Sequence, residues 1–363
     1  MLRSGRLELH NRQSFRDLDW LRIRFEVSDD GAVLHRGELC LPPLRPGQKA
    51  VCDVPGWWQL PAASGERHLT LRYVTVKAQP WADAGFEVGC DQFEIGPAPR
   101  RTAPIGARPV TVDADGLLVY PPLISAPRLS LWRAPTDNDR FGGTAAKWEA
   151  WGLQQLQRRL LSVDRDEHTT RVIAEYISTA GLRIRHQQTL RADADGGILV
   201  EETAVVPREL ADLARVGSVF EFQPGLEELA YYGLGPHETY PDRKRGGLVG
   251  RWRSTVGEQY VPYIRPQENG GHADVRWFEL SSRSSGVRVE LDPPAQVSIL
   301  HFRAGDLAAA THDVELMARP EIVVQVDAVH RGLGTASCGP DTLQQYLVGP
   351  GLYHWMWYVS RLR

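Results

Sequence analysis

Two glutamates stand where acid/base chemistry would be expected. Glu238 lies in Gly235-Pro236-His237-Glu238-Thr239-Tyr240-Pro241-Asp242-Arg243, and Glu268 in Arg265-Pro266-Gln267-Glu268-Asn269-Gly270-Gly271-His272. Cleaving a glycosidic bond with retention needs two carboxyl groups roughly 5–5.5 Å apart, one moving a proton while the other attacks the sugar. The favoured alternative is that Glu238 and Asp242 pair with nearby Arg243, Lys244 or Arg245 while Glu268 satisfies a turn. A third polar run, Leu131-Trp132-Arg133-Ala134-Pro135-Thr136-Asp137-Asn138-Asp139-Arg140, is followed by Phe141-Gly142-Gly143. Asp and Asn compete for nearby backbone hydrogen bonds and paired glycines free the backbone, so a strand is expected to end there in a polar loop. Such a loop on a rigid frame suits binding; its plain alternative is an Asx-turn network holding a corner.

Other chemistries find less support. His237, His272, His301, His312 and His330 show no HExxH, HxH or Cys/His spacing, so no transition-metal site is expected. Cys338, in Gly334-Thr335-Ala336-Ser337-Cys338-Gly339-Pro340, reads as a small packed thiol rather than a nucleophile. GxSxG, P-loop and dinucleotide fingerprints are absent.

Short strands must position these motifs. Leu21 to Val27 and His68 to Val74 alternate apolar with polar residues, and Ser28-Asp29-Asp30-Gly31 supplies turn chemistry between the first of them and a strand reaching Leu41. This pattern predicts an immunoglobulin-like β-sandwich over 1–96. A Pro/Ala/Arg-rich linker follows at 97–109, and a large two-sheet β-sandwich at 110–363. In the second domain, strands are expected at 182–185, 198–206, 287–291, 321–329 and 353–359, with aromatics on both faces of the last. Thr144 to Leu160 reads as the one helix, with Thr144 as its N-cap and Gly152 weakening its middle. No βαβ rhythm appears, which argues against a Rossmann fold or an α/β barrel.

A net charge of −3 over 363 residues, without Lys/Arg runs, points away from nucleic acid and membrane surfaces. The first residues contain no apolar export core and no stretch approaches the ~18 apolar residues of a membrane span. Four cysteines, Cys40, Cys52, Cys90 and Cys338, lie far apart, which suits a reducing compartment, so a cytoplasmic location is expected.

Trp132 to Asp139, Gly233 to Arg243 and Tyr263 to Gly270, in this order, resemble the C-terminal part of a β-galactosidase of glycoside hydrolase family 2. Ala310-Thr311-His312 and Gly332-Leu333-Gly334 are similar but weaker. Upstream, Asn11-Arg12, Phe15, Asp17-Leu18 and Trp81 to Gly85 resemble that family's immunoglobulin-like domain. The resemblance covers nearly the whole chain. It implies an all-β chain whose second domain is galactose-mutarotase-like, and it assigns the catalytic glutamates to an α/β barrel that precedes the matched part. No catalytic residue is then expected here. The Mg and Na ions implied for the family belong to the barrel part.

The implied partners are β-galactosides such as lactose, a barrel-bearing chain or fragment, and an oligomer in the full enzyme. A free-standing carbohydrate-binding module is the alternative. The resemblance implies a substrate-binding or lid role for Asp137, Asn138, Asp139 and the loop Arg140, Phe141, Gly142, Gly143 to Thr144. Cys338 matches the position of a sugar-stacking tryptophan in many relatives, and a thiol offers far less apolar face. Structural roles fall to Arg133, His237, Glu238, Tyr240, Asp242, Arg243, Glu268 and Asn269. Relatives usually carry more strands than the abbreviated stretch Val110 to Pro127, so one edge of the large domain is expected to be incomplete.

Overall fold

A computed structural model describes residues 4–96 and 109–362. Residues 97–108 of the expected linker lie outside the described residues. The chain divides into two compact units, Met1–Arg101 and Thr102–Arg363.

In the first unit, β1 (Arg6–His10) pairs with β4 (Lys49–Asp53), while β2 (Leu21–Asp29), β3 (Ala32–Leu39), β5 (Arg67–Thr75) and β6 (Glu87–Gly96) form a sheet ordered β3-β2-β5-β6. Alternation sends Leu7 and Leu9 from one sheet and Ile23, Phe25, Val27, Leu69 and Leu71 from the other into one core. Asp30 and Gly31 both have positive φ (45° and 75°) between paired Asp29 and Ala32, the two-residue turn that this dipeptide favours.

The second unit begins with β7 (Leu123–Ser130), then α1 (Asp137–Phe141) and α2 (Thr144–Ala150). Four strands follow, β8 (Gln157–Arg165), β9 (Thr170–Ile177), β10 (Arg183–Ala192) and β11 (Ile198–Val206). Next come β12 (Arg215–Phe222), β13 (Glu228–Gly235), β14 (Leu248–Thr255), β15 (Gly271–Ser281) and β16 (Gly286–Leu300). The chain ends with α3 (Ala304–Ala309), β17 (Ile322–His330) and β18 (Gly351–Arg361).

A nine-strand layer runs β14-β13-β15-β16-β18-β11-β10-β9-β8, and a smaller one runs from β16 through β17 and β12 to β7. One strand therefore belongs to both layers: Val287 to Asp292 of β16 pair with β18, and Gln296 to Leu300 pair with β17. The change falls at Pro293-Pro294, which have no N–H to give a ladder. Between the layers, Val216, Phe220 and Phe222 meet Val172, Tyr176, Val200, Trp355 and Trp357. Phe220 and Trp357 stack with centroids 4.8 Å apart. The final strand carries aromatics on both faces, with Trp355 and Trp357 inward and His354 and Tyr358 outward.

Two local readings are corrected. The helix expected from Thr144 to Leu160 stops at Ala150, because Gly152 takes φ +68°, and 157–165 are a strand. The left-handed residue Gly143 occupies the N-cap position, so Thr144 is the first helical residue. Two more short helices, α1 and α3, accompany it. Among the described residues no helix is long and apolar enough to cross a membrane.

Candidate functional site

Strand β7 ends at Ser130, and the polar run beyond it forms a helical turn rather than the expected loop. Thr136 Oγ1 accepts from the Asp139 N–H at 3.2 Å while the Asp139 carboxylate accepts from the Thr136 N–H at 2.8 Å. This reciprocal cap satisfies donors at the start of α1, where acidic residues also suit the helix dipole. Asp and Asn oppose helix interiors but favour helix starts, and that distinction overturns the loop reading.

The Asp139 carboxylate also receives the fully buried Arg133 guanidinium through Nε at 3.0 Å and Nη2 at 2.8 Å. Arg133 donates further to the carbonyls of Arg331 (2.8 Å) and Gly332 (3.2 Å), so one fork ties α1 to the segment after β17. Asn138 adds a second tie. Its amide donates to the Leu333 and Gly334 carbonyls at 3.1 and 2.7 Å, and its oxygen accepts from the Ser337 N–H and hydroxyl at 3.0 and 2.6 Å. Cys338, exposed, is the next residue. Asp137 and Asn138 thus share an edge with the Cys338 loop. A Cβ at Gly142 would lie 3.1 Å from Ala336 Cβ, and Gly143 takes φ +76°, so these glycines permit a close approach and a left-handed link between α1 and α2. Arg140 lies 3.7 Å from Asp137, and Phe141 is exposed.

The glutamate motifs pack behind this edge. Glu238 accepts from the Arg243 guanidinium, the Tyr263 hydroxyl and the Gly270 N–H (2.9 Å). Asp242 accepts from the Leu333 and Gly334 N–H groups at 3.0 and 2.8 Å instead of pairing with a base, and Lys244 pairs with Asp274. Tyr240 is buried, its ring 5.3 Å from that of His330, and His237 is exposed. Asn269 closes its own turn through Val261 N–H and Gln267 O.

Glu268 does more than satisfy a turn. Its N–H donates to Ala134 O at 3.0 Å, and its carboxylate lies 2.6 Å from Arg215 Nη2 and 3.8 Å from His330 Nε2. Burial alone would raise its pKa, but Arg215, then His330 and Arg133, outweigh it and hold the carboxyl down at about 2. Such a group has no proton to give near neutrality, and Glu238 is committed to three donors.

Arg215, Arg331 and Asp327 were not singled out from the sequence, and His330 was weighed there only as a metal ligand. Their signal is that Arg215, Asp327 and His330 occupy strands made mostly of buried residues, with Arg331 just beyond β17. Asp327, 3.5 Å from Arg215, is raised to about 7 by burial, with Glu268 adding to the rise against Arg215. A carboxyl raised in the folded state lends stability below its unfolded pKa near 4, and that stability is lost as pH rises through 7. Asp327→Asn should therefore raise the unfolding midpoint relative to the parent at pH 7–8, with the two converging below pH 4. Parallel pH profiles by differential scanning calorimetry would contradict this. Among the described residues no three His, Cys, Asp or Glu side chains gather to hold a metal ion.

A family profile for the β-galactosidase small chain matches residues 111–357, and one for β-galactosidase domain 4 matches residues 7–96. A β-galactosidase of Arthrobacter sp. is 31% identical over 90% of this chain and 37% of its own length. One of Aeromonas hydrophila is 27% identical over 96% and 37%. The chain thus spans little more than a third of these relatives. Among solved structures, a putative aldose 1-epimerase from Escherichia coli K12 aligns at 14% identity over 58% of this chain and 69% of its own, with a TM-score of 0.32.

Proposed function

The chain belongs to the β-galactosidase small-chain family, and from that premise we propose that it is the C-terminal portion of a β-galactosidase. In this reading it supplies one wall of a galactoside site whose reactive carboxylates come from a barrel-bearing segment or partner. The observation that carries the reading is the clasp of Asn138 on the 333–337 segment, which joins the Asp137-Asn138 edge to the Cys338 loop. The engaged state of Glu238 and Glu268 supports assigning the chemistry elsewhere. The proposed substrates are terminal β-galactosides such as lactose, within an oligomeric enzyme. The proposed location is the cytoplasm, in keeping with four unpaired cysteines.

The test mixes the purified chain with a barrel-containing fragment and follows a chromogenic β-galactoside. Hydrolysis only in the mixture is expected. Turnover by the isolated chain, abolished in Glu268→Gln, would overturn the reading. In the active mixture Cys338→Trp should tighten acceptor binding several-fold, because an indole adds the stacking face a thiol lacks. Unchanged acceptor affinity would remove Cys338 from the site.

A further inference from the structure

A cleft of about 760 Å³ opens on the outward face of the smaller layer, in the size range of small-molecule sites. Its lining includes none of Asp137 to Gly143 and not Cys338. Strand alternation makes the floor. Phe220 and Val324 point into the core, so Val219, Glu221, Val323 and Gln325 face the other way, with Val219 opposite Gln325 and Glu221 opposite Val323 across the β12/β17 pair. Helix α3 lines another side through Ala304, Gly305 and Ala308, whose small side chains leave the space open, and Trp132 is half-buried in the lining.

The polar groups here are unevenly satisfied. Glu221 is held by Arg303, with Nη2 to Oε2 at 2.8 Å. Gln325 is 8% exposed, and its side-chain oxygen has no hydrogen-bond partner among the described residues. A buried amide oxygen without a donor costs free energy that a leucine of similar size would avoid. No described residue supplies that donor, whereas a ligand hydroxyl would. The required ligand carries hydroxyl donors together with an apolar face for Trp132 and the valine floor. Glu221 and Arg303 already neutralise each other and Arg158 donates to the Asp115 and Gly116 carbonyls, so a neutral ligand fits, with Arg128 as a further donor in the lining.

We propose that this cleft binds a neutral saccharide of one to three units, with Trp132 against a sugar face and Gln325 Oε1 accepting from a hydroxyl. The site is independent of the loop edge proposed above for the galactoside.

Titration of the full chain with lactose, followed by calorimetry and saturation-transfer NMR, tests it. Saturable binding is expected, weakened at least tenfold in Gln325→Leu and unchanged in Asn138→Ala. The unfolding midpoint of Gln325→Leu should equal or exceed the parent's, since no internal partner is lost, so weakened binding cannot be ascribed to misfolding. Absence of saturable binding, or binding indifferent to Gln325→Leu, would overturn the proposal. Equal loss in both variants would merge the cleft with the loop edge and overturn a separate site. Binding lost only in Asn138→Ala would do the same while leaving the reading of the loop edge intact.

Discussion

Arg133→Ala is expected to lower the stability of the large unit by about 3–5 kcal/mol, the range for breaking a buried ion pair by removing one partner. The guanidinium is fully buried, and its loss strips Asp139 of both short contacts and the Arg331 and Gly332 carbonyls of theirs. Arg331 Nη1, 3.7 Å from Asp139, leaves part of the charge screened, which points to the lower end of that range. Asp139 also caps α1, so the disturbance reaches Asn138 and the Cys338 loop. Even where the variant remains folded, complementation of a barrel fragment should fall more than tenfold. Arg133→Lys should recover little, because a single ammonium cannot reproduce a fork that meets a carboxylate and two carbonyls. Urea unfolding followed alongside the complementation assay measures both effects. An unchanged midpoint would mean that the fork is dispensable.

The second large effect is expected at Glu202, a carboxylate with no exposed surface in the middle of the sandwich. It accepts from Gln188 Nε2 (3.0 Å), Ser218 Oγ (2.6 Å), Trp355 Nε1 (3.1 Å) and Trp357 Nε1 (2.7 Å), and His186 Nε2 lies 3.0 Å away. Burial would raise its pKa, but His186, Ser218 and Trp357 outweigh that and hold it below the ordinary glutamate value. Its stabilising contribution is therefore complete above pH 4.5 and is lost as pH falls below. Glu202→Ala leaves the Ser218, Trp355 and Trp357 donors buried without an acceptor and Gln188 with only the Pro127 carbonyl at 3.4 Å, a loss again of about 3–5 kcal/mol. Glu202→Gln should also destabilise, because its amide turns N–H groups toward donors. Tryptophan fluorescence during urea unfolding reports this directly, since two indoles bond the carboxylate. A midpoint within error of the parent would refute the assignment.

Much of the framework was readable in advance because alternation records which face of a strand is buried. The stretches at 198–206, 287–291 and 321–329 show it, and each lies in or nearly coincides with a strand. Asp30-Gly31 named its own turn, since few other dipeptides accept positive φ twice in succession. The failures are local and have local causes. Thr136 and Asp139 carry the spacing of a capping box, yet Asp and Asn content drew the reading toward a loop. Gly152 was read as a weak point within a helix when its backbone ends one.

The ionic core was hidden for a different reason. Arg215 and Glu268 meet at 2.6 Å although 53 positions separate them, and no local pattern announces a partner that distant. The glutamate motifs could be read from the chain as catalytic or structural, because residue type and spacing fit both. Composition, alternation and motif order were enough to establish an all-β architecture and the family. Only the tertiary structure decided that Glu268 lies against Arg215, that Asn138 reaches Ser337, and that Gln325 faces a cleft without a donor. The physical reason is that periodicity encodes burial along each element, whereas charge pairing depends on which elements become neighbours.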